Sequence, residues 1–309
     1  MKHKRLTRIA ACLVVALSLL GTAACSGQIN ASQAAATITA TSTTTTSAAV
    51  SAQTVGNTQQ GNPPDAAPGG QGGSTQEVTG TGMYNLSGGE VTKTNESLAA
   101  TKDDQSAAIV SGGAVLNLTN MKITSSGGSS SMDSSSFYGL NAAVLAKANS
   151  TVNMTDTTVN TTGSGANGVF ATGENSKIIL NNVTINCTAT GAHGVDATLG
   201  GVLTLNNVNI TTAGNGAAAA IATDRGSSTI TVTGGTVLTT GTKSPAIYST
   251  GVITASGAVM KSTNSESVVI EGKNSVTLTN CTMSTAKNDD VFIYQSMSGD
   301  ADVGSGNFT

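Results

Sequence analysis

The chain has 309 residues and a formal charge of −3, with 10% charged and 3% aromatic residues. So small a charge leaves no basic footprint for nucleic acid. So few charged residues, against about 25% in ordinary domains, cannot supply the polar faces of amphipathic helices; Gly, Thr, Ser, Asn, Ala and Val fill the difference, and they favour strands and turns.

In chain order, Lys2, Lys4, Arg5 and Arg8 precede an apolar run from Ile9 to Leu20. This has the length of a signal peptide and is too short to span a bilayer. Small residues then lead into Cys25 (Gly21-Thr22-Ala23-Ala24-Cys25), which resembles the bacterial lipoprotein leader; Thr22 departs from the commoner Leu at its position. Residues 1–24 are therefore expected to be a leader and Cys25 the lipidated N-terminus, anchoring the protein to the cell membrane and exposing it at the surface. Ordinary cleavage and secretion is the alternative. Two or more acyl chains hold firmly where one is marginal. Residues 25–77 are rich in Ser, Thr, Gly and Pro and nearly lack large apolar side chains, as expected of a flexible tether.

From residue 78 one strand-like unit recurs, beginning at Leu116, Val152, Ile178, Leu203, Ile230, Ile253 and Val276. A second apolar pair follows after a two-residue break, as in Val183 and Ile185 or Val208 and Ile210. Alternation within each pair marks a strand with one buried face. Four residues on from each first position stand Asn120, Asp156, Asn182, Asn207, Gly234, Gly257 and Asn280. All are residues that tolerate a left-handed backbone, so a sharp bend is expected once per repeat. A third apolar column reads Val144, Val169, Val195, Ile221, Ile247, Ile270 and Ile293. Three short strands per repeat of about 22–27 residues lie in the solenoid range. Such coils bury their inner faces only by stacking on neighbours. The expected fold is all-β: a single parallel β-helix over 78–309, right-handed by the resemblance of its bend to the tight Asn turn of pectate-lyase-like β-helices.

The ends fit less well. Residues 78–105 match the pattern poorly and are expected to form a cap region, with Tyr84, Leu86 and Val91 covering the open end; the last coil, from Asp290, stops abruptly and is expected to be truncated or covered by a partner. Cys187 and Cys281 stand four coils apart, about 20 Å, too far for a disulfide, so both are expected to remain thiols.

Five segments carry a resemblance: Gly139–Ala146, Ala166–Gly173, Ala222–Gly226, Ser244–Gly251 and Ile293–Asp300. They resemble uncharacterised adhesin-like β-helix lipoproteins of bacteria over most of Ser106 to Thr309. The resemblance implies a β-helix fold and a surface location, and no activity.

Chemistry is sparse. Asp196 and Glu271 fall on one outward column but three coils apart, about 14 Å, beyond the 5–9.5 Å of a glycosidase carboxylate pair. Asp224 lies one coil from Asp196 and two residues along, with Arg225 beside it; these are weak catalytic candidates, more plainly a solvated turn pair. His193, in Ala192-His-Gly-Val-Asp196, reads as a polar turn residue. Asp300 and Asp302 are too few oxygens for calcium. No CxxC occurs and His is present only twice, so neither a metal site nor a cofactor is expected. The outward column Leu145, Phe170, Asp196, Ala222, Tyr248, Glu271, Tyr294 is the candidate glycan platform, at Phe170, Tyr248, Glu271 and Tyr294. The insert Ser125–Tyr138 lengthens one repeat by about ten residues and is either a floppy bulge or a functional loop. An outward Thr column is too broken for ice binding.

The sequence thus leads to a non-enzymatic adhesin-like or structural surface lipoprotein binding a glycan or envelope component along one face. A polysaccharide lyase or hydrolase is the alternative, and a surface module self-associating through its C-terminal coil is a second.

Overall fold

The computed structural model describes residues 77–287, 289–296 and 300–309. The expected leader at 1–24, the lipidation at Cys25 and the tether as far as Gln76 lie outside the described residues.

The body is one parallel β-helix of about nine turns. Its strands form three parallel sheets of nine, nine and eight strands, each joining every third strand of the chain. We call them sheets A, B and C in the order the chain first visits them. Sheet B carries the recurring unit in unbroken register: Leu116, Val152, Ile178, Leu203, Ile230, Ile253 and Val276 stack one on the next, all fully buried. On sheet C the inward column runs Ile123, Val159, Ile185, Ile210, Val237, Met260 and Met283.

The bend between sheets B and C takes the conformation its residues allow. Asn120, Asp156, Asn182, Asn207 and Asn280 have φ between +50° and +53°, and Gly234 and Gly257 have +65° and +67°. Asn95 joins the column at +58°. The side chains also stack: the Asn207 amide donates to Asn182 Oδ1 at 3.0 Å, and the Asn182 amide to Asp156 Oδ1 at 3.2 Å.

The 78–105 region forms a coil, with Thr81–Ser87 in parallel register on Gln105–Ser111, and Tyr84, Leu86 and Val91 pack against the end of the core. Two expectations are corrected. The third column is Val144, Val169, Val195, Ile221, Ile247, Val268 and Val291, not Ile270 and Ile293. The segments entering the last two sheet-A strands (263–267 and 286–290) are two residues shorter than 240–246. Because the slip is two residues, Ile270 still faces inward. Finally, the insert is ordered. Met132–Tyr138 forms a helix, α1, capped by Ser131 at its start and ended by Gly139 at φ +72°. A side chain at Gly139 would collide with Leu145 and Phe170 at 2.7 Å, so glycine both ends the helix and lets it lie close on sheet A.

Cys187 is buried and Cys281 half-buried, and both are free thiols, as expected.

Candidate functional site

The site lies on the outer face of sheet A. Alternation puts two outward columns there. The register assigns Leu145, Phe170, Asp196, Ala222, Tyr248, Val269 and Phe292 to the first. The second carries Thr198 beside Asp224, and further along Glu271 beside Tyr294. The expected solvent-facing ladder of Phe170, Tyr248, Glu271 and Tyr294 therefore does not form as one column. Phe170 is fully buried in a small cluster with Leu145 and Ala142. Glu271 is fully buried as well.

The insert covers the Phe170 end of this face, with Gly139 set close against Phe170. The Thr198 hydroxyl donates to the Phe137 carbonyl at 2.8 Å, and the Asn167 amide to the Ser135 carbonyl at 3.0 Å. Asn167 also accepts from the His193 backbone amide at 2.8 Å, so one side chain links α1 to the His193 turn. The Gly168 amide and the Cys187 thiol both donate to the His193 carbonyl, at 2.9 and 3.3 Å. The imidazole is thus held by its own backbone.

His193 and Asp196 are turn and strand neighbours, and Asp224 comes from the next coil on the diagonal. His193 Nε2 is 4.0 Å from Oδ2 of Asp196 and 4.0 Å from Oδ2 of Asp224. One ligating atom from each of the three can be chosen so that all lie within 4.8 Å of one another. Their relative exposures are 2%, 0% and 6%. Neither ring nitrogen of His193 and neither carboxyl oxygen of Asp196 has a hydrogen bond of good geometry, although the backbones of Ala219 and Ala197 act on them; 4.0 Å exceeds hydrogen-bond length.

Burial sets the protonation. It holds His193 down at about 4, with the Ala219 backbone offsetting a small part. Burial and then Asp224 push Asp196 well above the carboxylate range. Asp224 rises to about 8 through burial, then Asp300 and Glu271, against the lowering effect of Arg225. At neutral pH the imidazole is neutral, so its contacts with the two acids are not ion pairs.

Beside this cluster Glu271 gathers hydroxyls. Tyr294 donates to Oε2 at 2.8 Å, Tyr248 donates to the same oxygen, and Ser296 donates to Oε1. Burial first, and the neighbouring acidic groups and the other tyrosine next, raise the Tyr248 phenol well above its ordinary value. Arg225 is not a solvated turn residue: its guanidinium lies 3.8 Å over the Phe137 ring and 3.5 Å from Asp300 Oδ1. Asp300, considered above for calcium, is buried as that partner. A small cleft of about 20 Å³ lies here, lined among others by Phe137, His193, Asp224, Lys243, Pro245, Tyr248, Ser265, Glu266 and Tyr294. Asp196 is not part of the lining.

The structure therefore gathers Asp196, Asp224, Arg225, Tyr248, Glu271 and Tyr294 on one face and leaves Phe170 beneath α1. Sequence reasoning missed Phe137, Lys243 and Glu266, and took His193 for a turn residue. The available signal was the diagonal itself: an i,i+3 His/Asp pair with a second Asp one coil away.

The fold defines the class, a parallel β-helix. No family profile, no characterised protein and no solved structure significantly matches the chain.

Proposed function

We propose that the protein is a glycan-binding β-helix of the bacterial cell surface, adhesin-like and non-enzymatic, and that the sheet-A cleft is its binding site. The observation that carries this is the Tyr248–Glu271–Tyr294 set beside the cleft, in which two phenols share one carboxylate. Aromatic rings fixed by hydrogen bonds next to acidic and hydroxyl groups suit a sugar, which offers apolar ring faces and polar edges. The leader and Cys25 supply the address: lipid attachment in the membrane, with residues 25–77 as the spacer.

The alternative, hydrolysis or lysis of a polysaccharide, is favoured by one observation. Asp224 lines the cleft and, held up at about 8, is protonated at neutral pH as a general acid must be. It lacks a partner able to reach substrate, because Asp196 is sealed behind it.

The deciding experiment applies the full chain to a panel of polysaccharides and reads retention together with new reducing or unsaturated ends. Retention without products, weakened about tenfold or more by Tyr294→Ala, supports the binding reading. Product formation lost in Asp224→Asn replaces it with the enzyme. Labelling with an alkyne fatty acid in a bacterial host, with Cys25→Ala as control, tests the anchor.

A further inference from the structure

We propose that His193, Asp196 and Asp224 form a binding site for one divalent first-row transition-metal ion, set between two coils of sheet A. The juxtaposition is an imidazole nitrogen 4.0 Å from an oxygen of each of two carboxyl groups. That spacing is too long for hydrogen bonds. A point equidistant from three atoms so placed lies roughly 2.3–2.5 Å from each, and a contraction of a few tenths of an ångström gives the ~2.0–2.2 Å bonds of zinc.

A second observation points to the same occupant. The ring nitrogens of His193 and the carboxyl oxygens of Asp196, all buried, make no hydrogen bond of good geometry within the protein; the backbones of Ala219 and Ala197 act on them only off that geometry. Buried polar atoms are almost always satisfied, and exceptions mark a functional site or an ion. Asp224 also faces the carboxyl groups of Asp196, Asp300 and Glu271 and a single guanidinium, a concentration of oxygen donors that suits a cation.

The donor set selects the metal. Calcium and magnesium take oxygen ligands, whereas imidazole with carboxylate suits zinc, manganese and their neighbours. Asp224 borders the cleft while Asp196 does not, so a fourth ligand would enter from the cleft side, as in open three-ligand sites. The Asn167 and Cys187 bonds to the His193 backbone hold the imidazole in place.

The test strips the full chain with chelator and titrates it with Zn²⁺ and, separately, Mn²⁺. The readouts are calorimetry and metal content after gel filtration. One equivalent per chain is expected, retained in His3→Ala and in Glu90→Gln, an exposed change in the first coil. Asp196→Asn and Asp224→Asn keep the shape of the neutral acids and should fold, by circular dichroism; each is expected to weaken binding at least a hundredfold. Pulsed EPR of the Mn²⁺ form should show one coordinated imidazole nitrogen, absent in His193→Gln. Folded wild-type protein that takes up neither ion overturns the proposal, as does uptake unchanged in the folded Asp196→Asn and His193→Gln variants.

Discussion

The guanidinium of Arg225 lies 3.8 Å above the centre of the Phe137 ring. The contact joins the one helix among the described residues to the sixth coil of the solenoid. It also places a side chain of the insert against the coil that carries Asp224. Phe137 is 2% exposed, and removing a buried aromatic ring costs about 3 kcal/mol or more. Phe137→Ala is therefore expected to loosen α1 and admit water to the cluster. The sensitive readout is His193, which burial holds near 4. Its NMR titration should move up toward the ordinary 6.5 in the variant. A midpoint unchanged from wild type would mean that the strands, not α1, keep the site dry.

The Asn column makes a separate prediction. Asn182 sits at φ +53° and both donates and accepts amide bonds along the stack. Asn182→Ala meets the left-handed penalty of about 1–2 kcal/mol and also loses those bonds. Asn182→Gly avoids the penalty and loses only the bonds. Denaturant unfolding should rank wild type above Gly and Gly above Ala, with about 1 kcal/mol or more between the last two. Equal stability of the two variants would show that stacking, not backbone conformation, selects Asn there.

This column also explains why so much of the fold was legible. A solenoid repeats its physical demands once per coil, so Asn120, Asp156, Asn182 and Asn207 announce one bend through four samples of it. The inward columns of sheets B and C were legible for the same reason. Register failed at Val268-Val-Ile-Glu271, where three successive apolar residues erase the alternation and only the length of the preceding segment, invisible as a pattern, fixes the pairing. The site was less legible still. His193, Asp196 and Asp224 are ordinary residues one at a time; their meaning lies in a diagonal between coils and in a helix that folds back from residues 132–138 to cover them.

Cys187 gives a pH prediction. Its thiol is buried among core side chains, and burial pushes it up to about 12, with Thr161 and Gly168 opposing weakly. The ordinary value is 9.0, so below that pH the group is protonated in both folded and unfolded chains and has no pH-dependent effect. As pH rises from 9 toward 12 the unfolded thiol ionises and the folded one does not, which draws the equilibrium to the unfolded state by up to about 1.4 kcal/mol per pH unit. Tyr248 and Tyr294, also raised, act with the same sign, so the comparison must be with Cys187→Ala. Wild type should lose stability faster than that variant between pH 9 and 11. Under native conditions at pH 8.5, peptide mapping after iodoacetamide should find Cys281 modified and Cys187 untouched. Parallel slopes would mean that the folded thiol ionises freely.

Glu271 accepts from hydroxyls on three segments: Tyr248 of one coil, Tyr294 of another, and Ser296 beyond it. The carboxylate is fully buried, so deleting it leaves several donors short of partners, each costing about 1–3 kcal/mol if it stays dry. Glu271→Ala is thus expected to destabilise far more than Tyr248→Phe, which removes one donor and leaves the acceptor served by the others. A double-mutant cycle of Tyr248→Phe with Glu271→Gln should give a coupling energy of about 0.5–3 kcal/mol, the range for groups in one network. The same cycle read on glycan retention separates two roles. If Glu271 acts only by holding the tyrosines, Glu271→Gln should weaken binding no further once Tyr248 and Tyr294 are both Phe. If it still weakens binding in that background, the carboxylate meets the sugar itself, and the cleft recognises its ligand through charge as well as through aromatic surface.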